Sequence, residues 1–157
     1  MREHDQLEVR EITSDKASVC REILSGLPEW FGWPGAVDGY VRSVPQLPML
    51  GCQVAGGTVG FLSLKTHATY SLEVYVLGVK PEWHRKGVGR TLIGMAERRA
   101  RDNGLGFLSV KTVADLDPSP DYARTRKFYA AMGFLPLEAF KTLFRSGDPC
   151  LLMVKPL

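Results

Sequence analysis

One segment constrains this chain more than any other: Val79-Lys80-Pro81-Glu82-Trp83-His84-Arg85-Lys86-Gly87-Val88-Gly89-Arg90-Thr91-Leu92. It reads as a strand ending in a proline turn, then a glycine loop opening directly into a helix. Such a junction gathers unpaired backbone N–H groups and the positive end of a helix dipole at one spot, which suits an anion. Gly87 and Gly89 remove side chains that would hold a phosphate away from those groups. Arg85, Lys86 and Arg90 add formal positive charge around it. The physical reading is a pyrophosphate cradle. A Walker loop needs Gly-Lys-Ser/Thr at a fixed offset, which is absent. A dinucleotide fingerprint needs a third glycine where this chain has Leu92.

His84-Arg85-Lys86-Gly87-Val88-Gly89 resembles motif A of the GNAT superfamily of acyl-CoA-dependent N-acetyltransferases, Gln/Arg-x-x-Gly-x-Gly/Ala, with His84 departing at the first position. Downstream, Phe128-Tyr129-Ala130-Ala131-Met132-Gly133-Phe134 is similar to the second signature of that superfamily, a helix ending Leu/Phe-Tyr-x-x-x-Gly-Phe. Gly133 falls where a left-handed helix C-cap belongs, with Phe134 opening the next strand.

The rest of the chain is consistent with one domain spanning residues 1–157. Its length is sufficient for a real core and too short for a second catalytic domain. A net charge of +3 suits an anionic cofactor and is too weak and dispersed to argue for nucleic acid. No apolar run approaches the ~20 residues of a membrane span, and the polar start Met1–Arg10 does not read as a signal peptide. Cys20, Cys52 and Cys150 are widely separated in apolar contexts. They read as buried free thiols of a cytoplasmic protein rather than as a disulfide or metal ligands.

Patterning predicts a strand at Leu7–Ile12, a helix at Lys16–Leu24 capped by Ser14 or Asp15, and an irregular stretch over Gly26–Gly35. A short helix follows through Val37–Val44. Strands Met49–Ala55 and Val59–Lys65 flank a Gly56-Gly57 hairpin turn, and Ser71–Val79 feeds the cradle. Then come a helix over Gly87–Asn103, a strand over Phe107–Thr112 and a loop at Leu116–Pro120. A helix over Tyr122–Met132 follows, capped by Ser119 or Asp121, and strands Phe134–Thr142 and Cys150–Lys155 close the sheet. This order gives an α+β, mixed-sheet domain, and the crossover from Ser71–Val79 to Phe107–Thr112 must join parallel strands. The resemblance implies the GNAT fold: a mostly antiparallel sheet with a splayed parallel strand pair and flanking helices.

The same resemblance implies a chemistry and a set of residues. The cofactor would be acetyl-CoA, held by backbone groups of Leu77, Gly78 and Val79 and by His84, Arg85, Lys86, Gly87, Val88, Gly89, Arg90 and Thr91. Gly78 would form a bulge that opens the sheet. Tyr129 aligns with the tyrosine that protonates the leaving thiolate; otherwise it packs beside Phe128. Tyr122 stands where the family often has an asparagine, so its hydroxyl would replace that cofactor contact. Arg124 and Arg126 would pair with cofactor phosphate or remain solvated.

Glu73 sits where several members carry their general base. Leu72, Val74 and Val76 around it would raise its pKa toward neutrality. Tyr75 shares its face. His67 reads as a weaker base or a surface imidazole. Trp30, Phe31, Trp33 and Tyr40, interleaved with Glu29 and Asp38, would either cage an amine or form a lid over the core. Asp115, Asp117 and Asp121 would add negative charge near the channel mouth. The function implied is direct acetyl transfer to a primary amine of a small molecule in a ternary complex. The alternatives are a non-catalytic acyl-CoA sensor and a protein N-terminal or lysine acetyltransferase. A homodimer is compatible with the exposed sheet edges, though no run of residues demands one.

Overall fold

The structure, a computed structural model, describes residues 6–115, 117–144 and 147–157. Alternating apolar residues build β1 (Glu8–Ile12), after which a helical pattern gives α1 (Lys16–Ser25). Two short helices, α2 (Pro28–Phe31) and α3 (Ala36–Ser43), precede the meander β2 (Met49–Val54), β3 (Gly57–Ala68) and β4 (Ser71–Val79). The second half runs α4 (Val88–Asp102), β5 (Phe107–Val113), α5 (Pro120–Ala131), β6 (Leu135–Phe140) and β7 (Cys150–Pro156). The strands form one seven-stranded sheet in the order β1-β2-β3-β4-β5-β7-β6, with β4–β5 parallel and the other pairs antiparallel. This is the expected mixed fold.

Helices cover both faces of the sheet. α4 buries Val88, Leu92, Ile93, Ala96 and Ala100 against Leu62, Leu64, Leu72 and Val74. The opposite face packs Phe61 and Val76 beneath Cys20, Ile23 and Leu24 of α1. Cys20, Cys52 and Cys150 lie buried as separate thiols. Among the described residues no helix is long and apolar enough to cross a membrane.

Local signals land close to expectation, with physical reasons for the differences. The hairpin turn uses Ala55 (φ 50°) and Gly56 (φ 82°), so Gly57 already opens β3. Two successive left-handed residues match the strand twist of a tight hairpin. α5 ends as anticipated: Gly133 (φ 93°) donates its N–H to Ala130 O, and the Phe134 N–H reaches back to Tyr129 O at 3.0 Å. Asp15 and Ser119 occupy the N-cap positions of α1 and α5, but neither side chain makes the capping bond. Within Gly26–Gly35 a single helical turn forms, begun by Pro28. A Cβ at Gly32 would lie 2.4 Å from Pro28 O, so glycine is required where the turn ends.

The feature that makes room for a site is the divergence of β4 from β5. Their pairing runs only from Ser71–Phe107 to Val74–Val110, although β4 continues to Val79 and β5 to Val113. A β-bulge begins at that point: Ser63 pairs with Val76 and Leu64 with Val74, leaving Tyr75 as the extra residue. Bulges bend a strand and increase its twist. Here the bulge also sends Tyr75 and Val76 to the same face, whereas Val74 and Leu77 face α4. The bulge expected at Gly78 is therefore displaced to Tyr75. Gly78 pairs in register with Phe61, and a Cβ there would meet Leu24 at 2.9 Å and Ile23 and Phe61 at 3.1 Å. Close packing of α1 demands that glycine.

Candidate active site

The divergent strands enclose a cavity of about 950 Å3. Its floor is β4 from Val74 to Val79, and β5 contributes Val110 to Val113 on the far side. Among the described residues the side of Tyr75–Val79 that would face β5 has no strand partner, so the cavity wall carries backbone groups outside the sheet ladder, of which Val79 O is taken by His84.

At one end stands the loop between β4 and α4. Arg85 (φ 60°) and Gly87 (φ 83°) are both left-handed, a handedness pattern that turns successive N–H groups toward one side. The first rung of α4 runs from the Thr91 N–H to Gly87 O, leaving the N–H groups of Val88, Gly89 and Arg90 without helical partners. Gly87 faces open space apart from Leu7 at 3.9 Å. Gly89 has a second role: a Cβ would stand 3.0 Å from the Phe128 ring, so this glycine lets α5 approach the head of α4.

The cavity gathers most of the residues singled out from the sequence. Leu77, Gly78, Val79, His84, Arg85 and Gly87 line it, as do Val88, Gly89, Arg90, Tyr122 and Tyr129. Trp30, Phe31, Trp33 and Tyr75 are also in its wall.

Several side chains do something other than expected. The His84 Nε2–H donates to Val79 O at 2.7 Å and its backbone N–H to Pro81 O, so it braces the loop. The Tyr122 hydroxyl donates to Trp30 O at 2.9 Å. Three others lie outside the cavity wall. Thr91 turns its hydroxyl back to Gly87 O, Lys86 stacks over Trp83, and Arg126 donates to Val113 O, pinning the end of β5. Of the acidic residues expected at the mouth, Asp117 accepts from the Ser119 N–H and Asp121 pairs with Arg124. Asp148 lines the cavity in their place.

Glu73 is buried, and its surroundings are polar instead of apolar. Oε1 lies 2.7 Å from His67 Nε2, and Oε2 lies 3.1 Å from Lys111 Nζ. Glu73 contributes nothing to the cavity lining, whereas its neighbours Lys111 and Tyr75 do. His67 is thus a partner of Glu73 and not an isolated surface imidazole.

Tyr129 is 5% exposed between Phe128 and Phe134, whose ring centroids lie 5.2 and 5.4 Å away. Burial, with a smaller contribution from Tyr40, raises its phenol pKa well above the ordinary tyrosine value. Its hydroxyl therefore keeps its proton at neutral pH, the state of a proton donor. Burial likewise pushes Tyr40 up to about 12, helped by Tyr75 and Glu73. Tyr122 is raised by burial and by Asp148, Asp117 and Asp121.

Sequence reading missed Lys111, Trp83, Lys127 and Phe128 as wall residues. It also missed the tie between α2 and α5, in which Trp30 Nε1 donates to Thr125 Oγ1 at 3.0 Å while its ring meets His84 edge-on at 5.9 Å. Only the aromatic richness of Gly26–Gly35 hinted at it.

Known proteins share this fold. A GNAT-family protein from Desulfovibrio desulfuricans superposes with a TM-score of 0.82 at 18% identity, covering 96% of this chain and 99% of that one. A GNAT family acetyltransferase from Elizabethkingia anophelis with acetyl-CoA bound gives a TM-score of 0.73 at 13% identity, covering 99% and 100%. In sequence, a mycothiol acetyltransferase of Nocardiopsis dassonvillei is 33% identical over 87 residues. That match covers 50% of this chain and spans 24% of the relative's length. Residues 49–136, from β2 through the cradle and α5 to the start of β6, match the family described as the acetyltransferase (GNAT) domain. On that match the chain belongs to the GNAT family of acetyltransferases.

Proposed function

We propose that this protein transfers an acetyl group to the primary amine of a small molecule by direct attack in a ternary complex. The observation that carries the reading is the cavity itself, which brings together the helix N-terminus of α4, an aromatic wall and the part of β4 beyond its pairing with β5. Acetyl-CoA supplies the acetyl group as an activated thioester.

The residues present fit that donor. The free N–H groups at the head of α4, with Arg85 and Arg90 beside them, suit a pyrophosphate. The edge of Leu77–Val79, which has no pairing with β5 and lacks only Val79 O, taken by His84, suits the amides of pantetheine in the manner of an added strand. Tyr129 holds a proton in the wall for the departing thiolate. Glu73 lies outside the cavity lining and takes the proton of the amine only through a relay of water, with Lys111 and His67 fixing its carboxylate. Trp30, Tyr122 and Thr125 all line the cavity and Trp30 is hydrogen-bonded to the other two, a closed wall between α2 and α5 that favours a small acceptor over a protein segment.

The test is release of free CoA thiol from acetyl-CoA with pooled amines and a no-amine control. Amine-dependent release is expected, with Glu73→Gln lowering kcat about 100-fold. An unchanged kcat in that variant removes Glu73 from the mechanism. Binding of acetyl-CoA without turnover of any amine or peptide turns the reading toward a sensor.

A further inference from the structure

The charges in the cavity wall say what kind of amine would enter it. A polycationic acceptor needs carboxylates in the wall, and this cavity is poor in them. Both oxygens of Glu73 are engaged by His67 and Lys111, and the residue offers no surface to the cavity. Asp38, expected to face the amine, pairs instead with Arg21 at 3.0 Å. Glu29 lies outside the lining, and among the described residues Asp148 is the one carboxylate within it.

What the wall does offer is flat apolar surface and, besides Arg85, Arg90, Arg124 and Lys127, the ammonium of Lys111, the one that pairs with Glu73 beside Tyr75. Phe31 meets Tyr40 edge to face at 5.7 Å, and Tyr40 meets Tyr75 at 5.4 Å. Trp33 extends the surface, 40% exposed. Lys111 lines the same cavity from β5, its side chain 35% exposed. An ammonium carries three N–H donors, and the single ion pair with Glu73 leaves capacity for a second anion. Because His67 shares the Glu73 carboxylate, Lys111 is not its sole partner.

Resting on the acetyltransferase reading above, we propose that the acceptor is a small amine carrying a planar apolar group and a carboxylate, and that Lys111 receives the carboxylate. The aromatic rings hold the planar group, and Lys111 then discriminates between an amino acid and the corresponding simple amine. Charge-assisted hydrogen bonds of this kind are the strong ones.

The experiment measures binding of N-acetylphenylalanine, N-acetylphenethylamine and N-acetylspermidine by quenching of tryptophan fluorescence, since Trp30, Trp33 and Trp83 all line the cavity. The acid is expected to bind about 10- to 100-fold more tightly than the other two. Lys111→Met abolishes that preference and Lys111→Arg keeps most of it. Equal affinity of the wild-type protein for acid and amine overturns the proposal, as does tighter binding of the polyamine. So does a Lys111→Met variant that weakens acid and amine alike, because that pattern marks a structural role through Glu73. Thiol release with phenylalanine and phenethylamine is run in parallel. A binding preference without turnover upholds the assignment of Lys111 and overturns the catalytic reading alone.

Discussion

At the scale of single residues, Tyr129 combines two properties that rarely coexist. It is packed like a core aromatic and still forms part of a cavity wall. Its hydroxyl bonds to no other described residue, so the ring alone accounts for its packing. Tyr129→Phe keeps the contacts with Phe128 and Phe134 and removes only the proton. The expected outcome is a fall in kcat of about 100-fold, with the KM for acetyl-CoA unchanged and the thermal midpoint held within about 2 °C. Steady-state kinetics beside a melting curve check this, and a matched loss of stability and rate would make Tyr129 a packing residue. Tyr122 and His84 are the contrast, since their polar atoms are already bonded to backbone carbonyls and serve to brace α2 and the loop.

Among the elements, β4 carries the design. The extra residue at Tyr75 ends the pairing with β5 and redistributes the side chains that follow between the two faces. Gly78 then lets α1 lie close against the strand. Gly78→Ala would force a Cβ to 2.9 Å from a terminal methyl of Leu24, a flexible group that can give way. The expected cost is about 1–2 kcal/mol, read as a lower urea midpoint with an unchanged m-value. A neutral substitution would show that α1 is free to move away from the sheet.

For the whole molecule, burial of ionisable groups links stability to alkaline pH. Cys20 is shifted by burial from 9.0 to about 11, and Tyr40 from 10.0 to about 12. In both cases the folded state holds the proton more tightly than the unfolded chain. Stability from these groups is therefore complete below the unfolded values and is lost as pH rises through the folded ones. Urea midpoints should be flat near neutrality and fall progressively from about pH 9 to about pH 12. Tyr40→Phe should make the upper part of that fall shallower, and an identical slope in the variant would refute the assignment.

What could be read from the chain alone was whatever a few neighbouring residues determine. The left-handed Gly87 ahead of α4, the Gly133 cap of α5 and the apolar run of β4 each depend on contacts within a turn or a strand. That was enough for most of the elements and, through the resemblance of two motifs to the GNAT family, for the fold. The tertiary structure decided which polar groups meet. Glu73 finds His67 across a hairpin and Lys111 on a parallel strand, and Trp30 finds Thr125 from the other end of the chain. Strand periodicity could not have shown where the bulge lay, because a single inserted residue at Tyr75 reassigns faces without leaving a signature in the apolar pattern. The turn ahead of α4 is a property of local backbone conformation, while the charge of the cavity wall arises from side chains that only the folded sheet brings together.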